Sequence, residues 1–189
     1  MTGHQKVSAG REKTNLREVP RVHIVGRKNA GKTTLVCDLV KELSRQGLKV
    51  ATVKHTHHHH ELDTPGKDSH KHRESGAAGV GILSARMSAA FVPIRRDEDE
   101  ATRYARFNVM FNDCDIILVE GDLATTARKV EVWRTAVSEP PYAAADASVS
   151  CVVSDDDLAV NCQTCRRSDL KRLAELIRKN ESPSGGKRT

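Results

Sequence analysis

The apolar positions of the chain fall into short β-branched runs that alternate with amphipathic segments. Residues 22–26 form an apolar run that ends in a glycine, as expected of a buried strand. Over residues 32–46 the apolar positions recur on one face of a 3.6-residue repeat, and Gly47 is a helix stop signal. Residues 48–54 predict a second strand. The chain therefore opens with a strand, a helix and a strand.

The same pattern predicts the elements of the remaining chain. Strands are expected over 80–83, 87–94, 115–120, 130–133 and 149–153, and helices over 68–78, from the acidic run 97–100 through residue 111, and over 169–179 with Ser168 as N-cap. Alternating strands and helices favour an α/β fold in which helices flank a mostly parallel sheet. The two strands between residues 80 and 94 predict an additional β hairpin. His23, inside the first strand, is expected to be a core histidine.

Length and charge narrow the class of protein. The 189 residues predict one domain over 21–180, preceded by a flexible lead over 1–20 and followed by a flexible tail over 181–189. No apolar run approaches the ~20 residues of a membrane span, and the N-terminus lacks a signal-type stretch. We therefore expect a cytoplasmic protein without a membrane partner.

The positive charge lies at the two ends of the chain. Residues 1–21 carry five basic and two acidic side chains and residues 166–189 carry eight and three, whereas the body has 18 basic and 20 acidic ones. Aromatic residues are only 3% of the chain. A nucleic-acid-binding face needs positive charge on the folded body and aromatic rings for stacking, so no nucleic-acid partner is expected. The odd number of cysteines, five, indicates free thiols.

The segment that follows the first strand carries the strongest chemical signal. Residues 26–33 read GRKNAGKT, which fits the phosphate-loop pattern GxxxxGK[ST] between a predicted strand and a predicted helix. Glycines allow successive backbone N–H groups to converge on one anion, and the helix N-terminus adds positive potential. Lys32 can then reach the β- and γ-phosphates, and the Thr33 hydroxyl can bind Mg²⁺. The pattern predicts a P-loop NTPase-like fold.

A phosphate loop also needs an acidic residue that positions the metal. Glu120 stands at the end of the predicted strand 115–120, and ligands of open α/β sheets collect at the carboxyl ends of the strands. We therefore predict that Glu120 and Thr33 hold Mg²⁺. Asp68, at the start of a predicted helix, is expected either to cap that helix or to hold a water molecule of the metal shell.

Four segments together resemble the MobB family, the molybdopterin-guanine dinucleotide biosynthesis adaptor proteins. They are GRKNAGKTTL at 26–35, VKHTHHHHELDTPGKDSHKHRESGAAGV at 53–80, DIILVEG at 115–121 and KVEVWR at 129–134. The resemblance implies GTP and Mg²⁺ binding, weak hydrolysis and a homodimer. It also implies a partner, the guanylyltransferase that joins GMP to molybdopterin, and it leaves open whether molybdopterin itself binds this chain.

The resemblance assigns the site residues one by one. The predicted cofactor-binding residues are Gly26, Asn29, Ala30, Gly31, Lys32, Thr33, Thr34, Lys67 and Arg73; the predicted catalytic residues are Lys32, Glu120 and Asp68; and the metal ligands are Thr33, Glu120 and Asp68. His55, His57 and His58 belong to the matching histidine-rich loop. Two segments depart from the family pattern: Asp122-Leu123 replaces the usual aromatic and lysine, and residues 158–165 do not match its usual end.

Three alternatives stay open at this point. The run His57–His60 could serve a nickel or zinc metallochaperone GTPase, and Cys162 and Cys165 have chelating spacing but lack a second such pair. A small-molecule kinase would use the same phosphate loop. The base is also open: the chain has no Asn-Lys-x-Asp motif, and Ser154-Asp155 is the candidate for reading guanine, so the residues leave adenine possible as well.

Overall fold

The computed structural model describes residues 17–56 and 61–179. The predicted tail over 181–189, most of the predicted lead over 1–20 and the histidines His57–His60 lie outside the described residues. The helices are α1 (Lys32–Arg45), α2 (Asp68–Glu74), α3 (Glu100–Met110) and α4 (Leu170–Lys179), with 3₁₀ turns at Thr135–Val137 and Tyr142–Ala144. The strands are β1 (Arg21–Val25), β2 (Val50–Lys54), β3 (Val80–Leu83), β4 (Ser88–Phe91), β5 (Ile116–Glu120), β6 (Arg128–Val132), β7 (Val149–Val153) and β8 (Gln163–Cys165).

Six strands form one parallel sheet in the order β2-β5-β1-β6-β7-β8. Strands β3 and β4 pair with each other in antiparallel orientation and form a separate two-stranded sheet. The predicted α/β class, a mostly parallel sheet flanked by helices with an additional hairpin, is confirmed. Since β1 lies between β5 and β6, the residues that follow these three strands meet at one edge of the sheet.

Helices cover both faces of the sheet, which explains why β5 is apolar at successive positions. Ile116 and Leu118 point into the cluster formed with α1 and α4, whereas Ile117 and Val119 point into the cluster formed with α3. All four side chains are fully buried. A parallel strand that is covered on both faces has no face towards solvent, so its sequence does not alternate between apolar and polar residues.

Several predicted elements are shorter in the structure, among them β2, which begins at Val50 and not at residue 48. Helix α2 ends at Glu74 and not at residue 78, because Gly76 adopts a φ of 95° and its N–H bonds to the carbonyl oxygen of Arg73 at 3.0 Å. Strand β4 ends at Phe91 and not at residue 94. Pro93 has no N–H to donate to the ladder, so pairing stops before it.

The C-terminal part differs from prediction in two further respects. The N-cap of α4 is not Ser168: the helix begins at Leu170, and an oxygen of the Asp169 carboxylate accepts from the N–H of Arg172 at 3.2 Å. Strand β8, which was not predicted, pairs with the end of β7 over three residues. So short a strand without an apolar run gives no periodicity to detect.

The first strand contains the expected core histidine. His23 is fully buried, and its Nδ1 lies 3.3 Å from the carbonyl oxygen of Gly121. Burial lowers the pKa of His23 to about 4, so the ring is neutral near pH 7. The ring also makes an edge contact with Tyr104 of α3, with centroids 5.3 Å apart. The residue thus helps to join α3 to the sheet.

Two further observations concern the whole described chain. All five cysteines lie within it, and all are free thiols. None of the helices in residues 17–56 and 61–179 has the length and apolar character that crossing a bilayer requires.

Candidate phosphate-binding site

The predicted phosphate loop joins the end of β1 to the start of α1 at the middle of the sheet. Gly26 opens the loop with a φ of 144°, and a Cβ built on it would lie 2.4 Å from the carbonyl oxygen of Val132. Gly31 is the N-cap residue of α1 with a φ of 103°. Both positions therefore need glycine, one for close approach to β6 and one for the left-handed turn into the helix.

The start of α1 offers free donors to an anion. The first N–H that bonds within the helix belongs to Leu35, which donates to Gly31 at 3.0 Å. The N–H groups of Lys32, Thr33 and Thr34 therefore have no intrahelical acceptor. The first turn contains no acidic side chain, so no charge of the helix itself offsets the positive end of its dipole.

Lys32 holds its ammonium group over this loop. Its Nζ donates to the carbonyl oxygens of Gly26 and Arg27, both at 2.8 Å. Partial burial lowers the pKa of Lys32, while the nearby Glu120 carboxylate opposes that shift. A phosphate bound beside this ammonium group would favour the protonated form of Lys32, because its negative charge raises the pKa.

One contact connects the phosphate loop with the strand that carries the predicted acid. The Thr33 hydroxyl donates to Oε1 of Glu120 at 2.8 Å, although the two residues are 87 positions apart in sequence. A hydroxyl and a carboxylate oxygen side by side are the hard donors that Mg²⁺ prefers. Gly121 follows with a φ of 98°, and a Cβ there would lie 3.1 Å from the carbonyl oxygen of His55. The chain therefore turns sharply and leaves Glu120 at the edge.

These residues surround a cavity of about 560 Å³. Its lining comprises Asn29, Gly31, Lys32, Thr33, Thr34 and Glu120, which were predicted, together with Lys28 and Arg134, which were not predicted as site residues. Gly26 and Ala30 line the two cavities beside it. Arg134 is positioned by β6, the neighbour of β1. The sequence signal that could have identified Arg134 is its position, a basic residue two places after the end of a strand that lies next to the loop.

The predicted residues of the second segment lie apart from this cavity. Asp68 is the first residue of α2, and Lys67 occupies the cap position of that helix. The side chain of Asp68 is 92% exposed, and its carboxylate lies 3.8 Å from the ammonium group of Lys71. Arg73 donates to Glu61 at 2.6 Å. Among the described residues, none of Lys67, Asp68 and Arg73 lines the phosphate cavity. Their roles in binding stay predictions.

The segment KVEVWR at 129–134 contains two buried charged residues, Lys129 and Glu131, which hold the loops beside the site. The Lys129 ammonium donates to the Leu123 carbonyl at 2.9 Å and to Asp146 at 3.0 Å. The Glu131 carboxylate accepts from the N–H groups of Tyr142 and Ala143 at 2.8 and 2.9 Å. Burial raises the pKa of Glu131. Since each charge is paired or hydrogen-bonded, strand β6 anchors the loops on both sides of the phosphate loop.

Those anchored loops in turn hold the phosphate loop from outside. Arg27 forms an ion pair with Glu139 at 2.6 Å and lies over the ring of Tyr142 at 4.2 Å. The Trp133 Nε1 donates to the Glu139 carbonyl at 2.8 Å. The loop is therefore preorganised, which lowers the cost of ordering it around a ligand.

The metal-binding alternatives receive no support from the described part of the chain. Residues 17–56 and 61–179 contain no group of three or more His, Cys, Asp and Glu side chains that could hold a metal ion. The Sγ of Cys165 is buried and lies 3.6 Å from the carbonyl oxygen of Asp169. The histidines His57–His60, on which the metallochaperone hypothesis depended, lie outside the described residues.

Comparison with known proteins identifies one family. The family model described as "Molybdopterin guanine dinucleotide synthesis protein B" matches residues 21–179. The molybdopterin-guanine dinucleotide biosynthesis adapter protein of Escherichia coli (strain K12) is 28% identical over 160 residues, which are 84% of this chain and 91% of that protein. The corresponding protein of Haemophilus influenzae is 28% identical over 123 residues, 65% of this chain and 68% of its own length.

Solved structures agree with the fold. A crystal structure of molybdopterin-guanine biosynthesis protein B superposes with a TM-score of 0.61 at 25% identity and covers 85% of this chain and 99% of its own. The Bacillus subtilis MobB structure has a TM-score of 0.62 at 22% identity and covers 84% and 95%. The parallel sheet with its separate hairpin is thus the architecture of these proteins. None of these matches favours a metallochaperone.

Proposed function

The chain belongs to the molybdopterin guanine dinucleotide synthesis protein B family, and from that premise we propose that it is a GTP-binding adaptor in molybdenum cofactor maturation. It would act in the cytoplasm. The family match covers the whole described domain from β1 onwards. The observation that carries the nucleotide part is the 2.8 Å contact between Thr33 and Glu120, because it joins the two motifs that a Mg²⁺–nucleotide complex requires.

The chain's own residues define what each would do with GTP. The free N–H groups at the start of α1 hold the β-phosphate, and Lys32 neutralises charge on the β- and γ-oxygens. Thr33 and Glu120 would hold Mg²⁺, which would help to neutralise the negative charge of the phosphates. Asp68 would support waters of the metal shell only if the segment 61–74 moves towards the cavity on binding.

Hydrolysis is expected to be slow. The phosphate cavity of the described residues is lined by cations, small polar residues and one carboxylate, with no glutamine to orient an attacking water. Lys28 and Arg134 stabilise negative charge but do not activate water. Slow hydrolysis suits an adaptor whose partner performs the chemistry.

We further propose that two copies associate through the β3–β4 hairpin. The apolar side chains Ile82, Leu83 and Met87 of this hairpin are 40%, 87% and 76% exposed, and Val92 and Ile94 beyond it are 51% and 62% exposed. Exposed apolar groups in one continuous segment mark an interaction surface. Within residues 17–56 and 61–179, each of the two strands also has an edge that pairs with no further strand and could pair with a second copy.

Sedimentation velocity tests the homodimer. Leu83→Lys combined with Met87→Lys should give a monomer, since two charges would enter the apolar contact. The control is Val109→Lys, which changes an apolar side chain of α3 that is 55% exposed and lies off the hairpin. A monomeric wild type, or a hairpin variant that stays dimeric, would contradict this interface.

The adaptor role predicts a physical partner, the guanylyltransferase that joins GMP to molybdopterin. Purified guanylyltransferase should co-elute with this chain and should form more molybdopterin guanine dinucleotide when the chain and GTP are present. At one fixed GTP concentration, Lys32→Ala should stimulate the reaction less than the wild-type chain does. If neither co-elution nor stimulation occurs at micromolar concentrations, the adaptor function is wrong even where the chain binds GTP.

A further inference from the structure

A second cavity, of about 520 Å³, lies beside the phosphate cavity at the carboxyl ends of β6 and β7. The two cavities share Gly31, Thr34 and Arg134 in their linings. The two cavities therefore adjoin at the first turn of α1. A triphosphate on the loop would direct the nucleoside into this space.

The lining of the second cavity contains both apolar and charged residues. Val132, Val153 and Ala30 are among its apolar lining residues and are themselves nearly fully buried, whereas Trp133 is half-buried. Asp155, Asp156 and Arg167 contribute charged groups. A concave pocket with apolar lining residues and a few converging polar groups is the usual environment of a small ligand such as a heteroaromatic ring.

The two carboxylates are held in place by backbone donors. One oxygen of Asp155 accepts from the N–H of Arg167 at 2.9 Å, and one oxygen of Asp156 accepts from the N–H of Thr135 at 2.7 Å. The Ser154 hydroxyl accepts from the N–H of Asp156 at 3.0 Å. Asp155 thus uses one oxygen to fix a loop and keeps the second as an acceptor for a ligand. The Asp156 carboxylate also interacts with the Thr135 side chain, and its remaining lone pairs can accept from a ligand.

Arg167 complements these acceptors with a donor. Its Nη2 donates to Asp38 of α1 at 2.9 Å. Its Nη1 is buried and has no hydrogen-bond partner among the described residues. An orphaned buried donor in the wall of a cavity indicates a group that a ligand would satisfy.

We infer that this cavity binds the guanine base, with the Asp155–Asp156 carboxylates accepting from N1–H and the 2-amino group and Arg167 donating to O6. This inference rests on the proposed nucleotide function and adds the recognition of the base. Guanine presents two adjacent donors and one acceptor on its edge, which matches two acceptors and one donor. Adenine presents an acceptor at N1 and an amino group in place of O6. Its N1 would therefore face a carboxylate, which is also an acceptor, and its amino group would face the guanidinium, which is also a donor.

The test uses the diphosphates GDP, ADP and XDP with Mg²⁺, because all three carry the same phosphates and are not hydrolysed at a γ-phosphate. Calorimetry on the wild type should show GDP binding about 10- to 100-fold tighter than ADP, the effect of unpaired polar groups in the wrong complex. Asp155→Asn and Asp156→Asn are then compared. In xanthine a carbonyl replaces the 2-amino group, so an asparagine amide can donate to it.

One of the two asparagine variants should lose GDP affinity and gain XDP affinity, each by about 10-fold or more. The matched control is Asp157→Asn, since that side chain is fully exposed and lies 3.5 Å from Arg166. It should leave the order of the three nucleotides unchanged.

The outcomes separate the base inference from the nucleotide function. Equal wild-type affinity for GDP and ADP would overturn guanine recognition and leave the phosphate site standing. No binding of any diphosphate would overturn both. Loss of GDP affinity in a variant without any gain for XDP would show that the carboxylate only braces its loop, and this result would also overturn the base contact.

Discussion

Strand β5 and the β3–β4 hairpin are built from similar residues and have opposite surroundings. Leu118 of β5 is fully buried between helices, whereas Leu83 of the hairpin is 87% exposed. The buried strand ends in Glu120, whose carboxylate meets the phosphate loop. The buried strand therefore holds a side chain of the candidate site in place. The hairpin, in contrast, has an apolar surface that the described residues do not cover.

This contrast predicts a large difference in stability between two leucine substitutions. Leu118→Ala should lower the free energy of unfolding by about 2–5 kcal/mol, because it opens a cavity in a packed core. Leu83→Ala should change the unfolding of the monomer by less than about 0.5 kcal/mol, as for other exposed positions. Urea denaturation at low protein concentration measures both. Similar losses in the two variants would mean that the hairpin is packed in solution.

The burial of His23 in the same sheet predicts that the free energy of unfolding depends on pH. His23 has its pKa lowered to about 4 by burial, against an ordinary value of 6.5. The folded state therefore binds fewer protons than the unfolded state between these values, and stability falls as the pH drops through this window. The loss should reach up to about 3 kcal/mol near pH 4 and be absent above pH 6.5.

His23→Gln isolates this contribution, since a neutral amide can still donate to the Gly121 carbonyl. Carboxylates that titrate below pH 5 affect both proteins, so the difference between the two stability curves is the relevant quantity. That difference should change with pH in the window from 6.5 to 4. Parallel curves would show that His23 is protonated without cost to the fold.

A smaller effect is expected at the half-buried end of β5, where Glu120 lies. Glu120→Gln keeps the size of the side chain and removes its charge, so the affinity of the nucleotide complex for Mg²⁺ should fall about 10-fold or more. Titration of Mg²⁺ in the presence of GDP measures this loss. Stability in urea should stay near that of the wild type. A Mg²⁺ dependence equal to that of the wild type would remove Glu120 from the metal site.

Elements with strong periodicity were predictable from the sequence. Strand β5 and helix α1 begin and end within one residue of their predicted bounds, because a continuous apolar run and an amphipathic repeat determine them. The Thr33–Glu120 pair was predictable as well, since both residues follow from motifs at the carboxyl ends of parallel strands. What the sequence could not supply was the distance between them.

Features that depend on tertiary contacts were not predictable. Arg134 was missed as a site residue because its place beside the loop follows from the pairing of β1 with β6. Strand β8 was missed because three residues at a sheet edge carry no periodic signal. Predicted roles of Lys67, Asp68 and Arg73 came from motif resemblance, which gives the residue type but not the distance to the cavity.

The binding of GTP with Mg²⁺ to wild type and to Lys32→Ala, measured by calorimetry, tests the central claim most directly. Lys41→Ala serves as control, because Lys41 lies on the same helix with its side chain 79% exposed. Wild type and control should bind alike, and Lys32→Ala should bind about 100-fold more weakly, as expected when one partner of a charge pair is removed. Equal affinity in all three proteins would contradict the assignment of the phosphate site.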